Sequence, residues 1–130
     1  MTAWGISRDA YYELRYFCKQ YAEKKATAAA LAGVSAVKID DMPRAMGTGD
    51  PTGKAALKRM KLLHDCGMIE KAAKTAGGGK WYDALMLNCC YGRGYEYIDP
   101  AILPTSNRNA FFTARREFFF LLYQAKYDEM

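Results

Sequence analysis

The chain has 130 residues, 51% of them hydrophobic and 25% charged, and its 19 Lys and Arg against 14 Asp and Glu leave a formal net charge of +5. A chain of this length builds one core rather than two, and this composition excludes a disordered polymer. The cationic excess favours an acidic partner, nucleic acid first among them.

The opening stretch MTAWGISRDAYYELRYF has no basic segment leading into an apolar run, so no secretory signal is expected, and no stretch is apolar for long enough to span a bilayer. The expected location is the cytoplasm. The cysteines agree with it: Cys18, Cys66, Cys89 and Cys90 form no CxxC pair, and the single histidine, His64, has no partner at zinc-finger spacing. They are read as reduced thiols filling the core, with no metal site.

In chain order, residues 7 to 31 predict one long helix, with Ser7 as its cap, Tyr11, Leu14, Cys18 and Tyr21 at helical spacing, and an alanine-rich run up to Gly33. Residues 33 to 51 hold Pro43, Gly47, Gly49 and Asp50-Pro51 without a sustained period and predict a loop. Thr52 to Ala76 predicts a second helix along the stripe Ala55, Leu62, Cys66, Ile69 and Ala73, stopped by Gly77-Gly78-Gly79. Together these two helices imply an antiparallel hairpin over residues 7 to 76. Lys80 to Cys90 predicts a third helix with Trp81, Leu85 and Cys89 on one face, broken by Gly92 and Gly94, and Tyr95 to Ile98 a short helical turn. Pro100 and Pro104 bracket a connector, and Ser106 is expected to cap a last helix that runs to about Tyr127. Nothing reads as a strand pair. The expected fold is therefore all-α and a single domain over residues 1 to 130, a long helical hairpin followed by a helix-turn-helix-like three-helix unit over residues 80 to 127.

Catalytic chemistry finds little purchase. GTGDPTGKAA (47 to 56) places a Gly-Lys before a helix, but Thr48 stands where the first glycine of a phosphate-binding loop belongs and Ala55 replaces the metal-binding hydroxyl. GGGKW (77 to 81) is a helix stop. The vicinal Cys89 and Cys90 point about 100° apart on a helix, so a soft-metal or redox site would need ligands from elsewhere. No Ser/His/Asp set or carboxylate cluster assembles, so neither an enzyme nor a cofactor is expected.

SNRNAFFTARREFFFLL (106 to 122) is the distinctive stretch. At about 100° per residue, Phe111, Ala114, Phe118, Leu121, Leu122 and Ala125 share one arc, a core face. The outer face changes character along the helix, from Arg108, Asn109, Phe112, Thr113 and Arg116 to Phe119, Phe120 and Tyr123. A recognition helix has this division, with its first turns in the major groove and its later turns in the domain. Its preceding helix would be GYEYID, with DPAILPT as an unusually long turn. The arginine fork suits guanine edges and phosphate, and the helix amino terminus beside Ser106 and Asn107 suits a phosphate. The competing reading is an amphipathic helix whose arginines pair with Glu117, Glu96 or Asp99.

The motifs YYELRYFCKQY, VKIDDMPRAMGTGDPT, GMIEKAAKTA, YGRGYEYI and SNRNAFFTARREFFFLL, in that order, resemble phage and prophage small transcriptional regulators of the RinA/ArpU type. The resemblance implies a late-gene activator, acting in a bacterial host cell, whose carboxy-terminal helix-turn-helix is similar to the promoter-reading part of sigma factors. On this likeness YGRGYEYI, with Arg93, carries the first helix of the DNA-reading unit, and Arg108, Arg115 and Arg116 fall at arginine-rich positions of the second.

Charge is unevenly spread: residues 91 to 130 carry five Lys and Arg against five Asp and Glu, whereas residues 41 to 80 carry eight against four. Lys54, Lys58 and Lys61, on one side of the second helix, are thus candidate phosphate contacts, or else a solvated face. A different class of function also fits: ten tyrosines and six phenylalanines are ample material for a module that binds a host protein, as an anti-CRISPR-like inhibitor or an RNA polymerase adaptor does. Phe119, Phe120 and Tyr123 need cover, which either the amino-terminal hairpin or a second copy in a homodimer would give.

Overall fold

The computed structural model describes residues 5 to 41 and 51 to 128. Among them there is no strand: the elements are α1 (Arg8–Lys19), α2 (Tyr21–Asp41), α3 (Pro51–Thr75), α4 (Tyr82–Leu85) and α5 (Arg108–Asp128), with shorter turns between them. The all-α class is as expected.

The start of α1 follows its local signal, since Ser7 Oγ accepts from Ala10 N at 3.1 Å. Its end does not. The expected single helix over residues 7 to 31 breaks at Gln20, whose N–H reaches back only three residues to Phe17 O (3.2 Å), while its own carbonyl accepts from Lys24 N (2.8 Å) to start α2. The break lets α1 turn onto α5 while α2 lies on α3. The expected stop at Gly33 is also absent: α2 runs on to Asp41. A mid-helix glycine costs about 1 kcal/mol against alanine, and the alanines around it supply strong helix propensity. The predicted loop of residues 33 to 51 is therefore helical as far as Asp41, and residues 42 to 50, with Pro43 and the GTGD segment, lie outside the described residues. Pro51 takes the first position of α3, where its missing N–H is no loss.

Contacts between α2 and α3 join Tyr21 to Glu70, Lys24 to Asp65 and Ala28 to Arg59, so the residue numbers rise on one helix as they fall on the other. The pair is antiparallel. Its seam is polar at the edge and apolar within: Lys24 Nζ meets Asp65 Oδ2 at 3.0 Å and Lys25 Nζ meets Glu70 Oε2 at 3.1 Å, over buried Cys66 and Ile69. Burial alone would push the Glu70 carboxyl up, but the Tyr21 hydroxyl and Lys25 more than offset it and hold the group below its usual range.

After α3 the chain reverses through Gly77, Gly78 and Gly79, all at positive φ. Gly77 is the demanding one, because a Cβ there would stand 2.6 Å from Trp81 Cδ1. Its N–H donates to Glu117 Oε1 at 3.1 Å and so ties the reversal to α5. The expected third helix forms as α4 followed by a wider π-type turn over Met86–Cys90, where Tyr91 N bonds to Met86 O five residues back.

The core gathers Leu14, Cys18, Cys66, Ile69, Ala73, Leu85, Phe111, Phe118, Phe119 and Leu122, with Trp81 set edge-on to Phe111 at 5.8 Å. All four cysteines are buried in it as free thiols. On α5 the predicted core face holds for Phe111, Ala114, Phe118 and Leu122, with Leu121 and Ala125 half-buried. Phe119 lies off that arc and is one of the rings expected to need cover. It is wholly buried because Tyr11 of α1 covers it edge-on at 5.2 Å, so the amino-terminal part of the same chain supplies its cover.

Candidate nucleic-acid interface

The entry into α5 is built by Asn107, not Ser106. Asn107 Oδ1 accepts from Asn109 N (2.9 Å) and Ala110 N (3.3 Å), while Thr105 Oγ1 accepts from Asn107 N (3.2 Å). Ser106 stands one residue too early for its hydroxyl to serve; its carbonyl accepts from the Tyr95 hydroxyl instead, at 3.4 Å. The helix expected before the turn is a single 3-10 turn, Tyr95–Tyr97, with extended backbone at Gly94 and Ile98 on either side. Two regular helices of a helix-turn-helix are therefore not formed at this place. Gly92 and Gly94 on one side and Pro100 on the other leave too few residues for a second full helix.

Arg108 is exposed, its guanidinium lying over the rings of Phe112 (5.0 Å) and Tyr95 (5.4 Å) and pairing with Glu96 Oε2 at 3.2 Å. The Glu96 backbone N–H, and then Arg108, hold the Glu96 carboxyl below its usual range. Both partners are more than half exposed, and such a pair is readily traded for another anion. Asn109 and Thr113 are exposed beside it, and Arg116, half-buried, reaches only Thr113 Oγ1 at the long limit of 3.5 Å. Of the acids expected as alternative partners, Glu117 is spent on Gly77 N and Asp99 on Ala101 N (2.9 Å). Among the described residues Arg116 has no carboxylate partner.

Arg115 is turned inward, unlike its neighbour. Its Nε–H donates to Asn88 Oδ1 (2.8 Å) and its Nη1 to the Tyr11 hydroxyl (2.9 Å), with the guanidinium over Phe119 at 5.0 Å. It forms one wall of a cleft of about 270 Å³ between α1, α5 and the turn after the π-type segment. Arg93, exposed, lines the same cleft, together with Arg15 and Lys19 of α1. Burial pushes the Cys89 thiol at its floor up to about 12, against the pull of Arg115.

The Lys54, Lys58 and Lys61 side chains are exposed on α3, as a solvated or phosphate-facing row requires. They are not gathered with Arg108. The groove between α3 and α5 is lined by Met68, Ala72 and Thr75 against Leu121 and Ala125, and Gly77 bonds to Glu117, so the two helices run antiparallel. Extrapolating at 1.5 Å per residue sets the lysine row on the order of 40 Å from Arg108 along the helix direction.

On α1 the sequence reading singles out the core stripe and not the cationic outward face. Arg8, Tyr12, Arg15, Tyr16 and Lys19 share its outward face, with cations laid on rings: Arg8 over Tyr12 (5.7 Å), Arg15 over Tyr11 and Tyr12 (5.9 Å each) and Lys19 over Tyr16 (5.5 Å). The spacing of 4, 3, 1 and 3 was there to find, but the core stripe on the same helix drew the reading. Comparison with family models, curated proteins and solved structures finds no match for this chain. Among the described residues no helix is long and apolar enough to cross a membrane.

Proposed function

We propose that the protein is a non-enzymatic, DNA-binding transcriptional regulator, as the resemblance to phage late-gene activators implies, reading duplex DNA with the opening turns of α5. The observation that carries this reading is the division of that helix. Asn109, Thr113 and Arg116 are turned away from the core while Phe111, Ala114, Phe118 and Leu122 are buried, so a rigid, anchored helix offers polar and cationic side chains at its amino-terminal end. Arg108 joins them once Glu96 is exchanged for a phosphate or a base edge. Lys54, Lys58 and Lys61, far along the molecule, add attraction without sequence preference.

Binding to a DNA library is expected to weaken by orders of magnitude between about 50 and 200 mM salt if six or more phosphates are engaged. Arg116→Ala relaxes sequence preference, and Lys58→Ala weakens all sequences alike. Retention on DNA at low salt that neither substitution alters removes the proposal.

A second reading, a module that binds a host protein, is favoured by the exposed rings of Tyr16 (62%), Tyr91 (57%) and Tyr97 (78%). A partner held through nuclease treatment and moderate salt, and lost on Tyr97→Ala, selects it over DNA.

A further inference from the structure

The cleft between α1 and α5 concentrates positive charge with no carboxylate on its walls. Arg15, Lys19, Arg93 and Arg115 all line it. None of the four forms an ion pair among the described residues, although the same molecule pairs Lys24, Lys25 and Arg108 with carboxylates elsewhere. The groups that hold these cations are neutral: the Asn88 amide and Tyr11 hydroxyl for Arg115, and phenol rings for Arg15 and Lys19. Such partners orient a cation and leave its charge uncancelled. With two of its five N–H groups committed to Asn88 and Tyr11, Arg115 keeps three donors. The buried Cys89 beside them stays a neutral thiol and offers no counter-charge. Like charges collected in one concavity repel one another unless an anion enters.

We propose that this cleft binds a phosphomonoester group through Arg15, Lys19, Arg93 and Arg115. Its volume of about 270 Å³ is just below the range of small-molecule pockets, roughly 300 to 1,000 Å³. It takes a phosphoryl group and the part of the ligand next to it, and leaves the remainder outside. A monoester is preferred over a backbone diester because it carries nearly two charges at pH 7 and three terminal oxygens, which match several convergent cations, whereas a diester carries one charge. The Asn88 carboxamide sets the geometry: its oxygen holds Arg115 while its Nδ2 donates to the Arg93 carbonyl at 2.9 Å, so one side chain joins two walls of the site. The ligand is either the 5′-phosphate at a nucleic-acid end or a free phosphorylated small molecule. The site is independent of duplex reading by Arg116.

The test uses the whole protein with four probes at matched ionic strength: inorganic phosphate, AMP, and one short single-stranded oligonucleotide with a 5′-phosphate or a 5′-hydroxyl. Melting temperature and calorimetric titration are the readouts. The expected result is stabilisation by phosphate or AMP beyond that of chloride, or preferential binding of the 5′-phosphorylated oligonucleotide. The former identifies a free small molecule as the source and the latter a nucleic-acid end. Lys19→Ala and Arg93→Ala, both at exposed positions that leave the core intact, each reduce that affinity about tenfold, as the loss of one charge-assisted contact does. Affinity for AMP rises as pH passes about 6, where the monoester gains its second charge. No stabilisation by phosphate or AMP over chloride, combined with equal binding of the two oligonucleotides, overturns the proposal. So does binding that neither substitution weakens. Retained duplex binding alongside that failure leaves the reading of α5 standing.

Discussion

The seam between α2 and α3 and the cleft between α1 and α5 are both lined with long cationic side chains, yet they treat charge in opposite ways. In the seam each cation meets an acid, Lys24 with Asp65 and Lys25 with Glu70, and Tyr21 adds its hydroxyl to the same Glu70 carboxylate. In the cleft Arg115 meets an amide, a phenol and a ring face, Arg15 and Lys19 meet ring faces, and Arg93 lines the same walls. Paired charge fixes the register of two helices; unpaired charge is held in place and kept for a ligand. Removing a charge should therefore weaken the fold in the seam and leave it standing in the cleft.

The largest effect belongs to the apolar core beneath the cleft. Phe119→Ala removes the ring wedged under Tyr11 and Arg115 and is expected to cost about 3 to 5 kcal/mol of stability in urea unfolding, because α1 loses its anchor on α5. Next comes the seam: Glu70→Gln strips one carboxylate from both Tyr21 and Lys25 and is expected to cost about 1 to 2 kcal/mol. Its pH dependence has a definite sign. The Glu70 carboxyl lies below its usual value in the fold, so its contribution is full at neutral pH and is lost as pH falls through the carboxylate range. Urea midpoints measured from pH 7 down to pH 3 should show that component in the native chain and not in Glu70→Gln. The smallest effect is in the cleft, where Lys19→Ala and Arg93→Ala should change stability by less than about 0.5 kcal/mol, and at low salt should raise it if anything. A loss in the cleft as large as that in the seam would erase the distinction.

Much of the helix content was legible in the amino-acid order because it rests on local or single-helix signals. The Ser7 cap, the Cys66, Ile69 and Ala73 stripe, the glycine reversal and the α5 core face are of this kind. The break at Gln20 was not, since the apolar spacing from Leu14 through Cys18 to Tyr21 continues unbroken and only the separate docking of α1 and α2 demands a bend. Phe119 is legible as a ring that needs cover, but a wheel drawn on one helix cannot register that Tyr11, more than a hundred positions away, closes over it in place of a second copy. At α5 two adjacent capping residues competed, and the hydrogen bonds chose Asn107. The candidate site was half visible. Arg93, Arg108, Arg115 and Arg116 were singled out on their own segments, but Arg15 and Lys19 join Arg93 and Arg115 only through the fold, and no spacing rule links them.

The π-type turn at Met86–Cys90 carries an unusual vulnerability. It holds one residue more than an ordinary helical turn would, and Asn88 sits inside that surplus. Excising a single amino acid there would restore α-helical winding and swing everything downstream by roughly a quarter of a revolution. Asn88 would then face away from Arg115, and the anion-binding wall would come apart with every cation still present in the chain. Loss of the site thus needs no change of charge, only a change of phase.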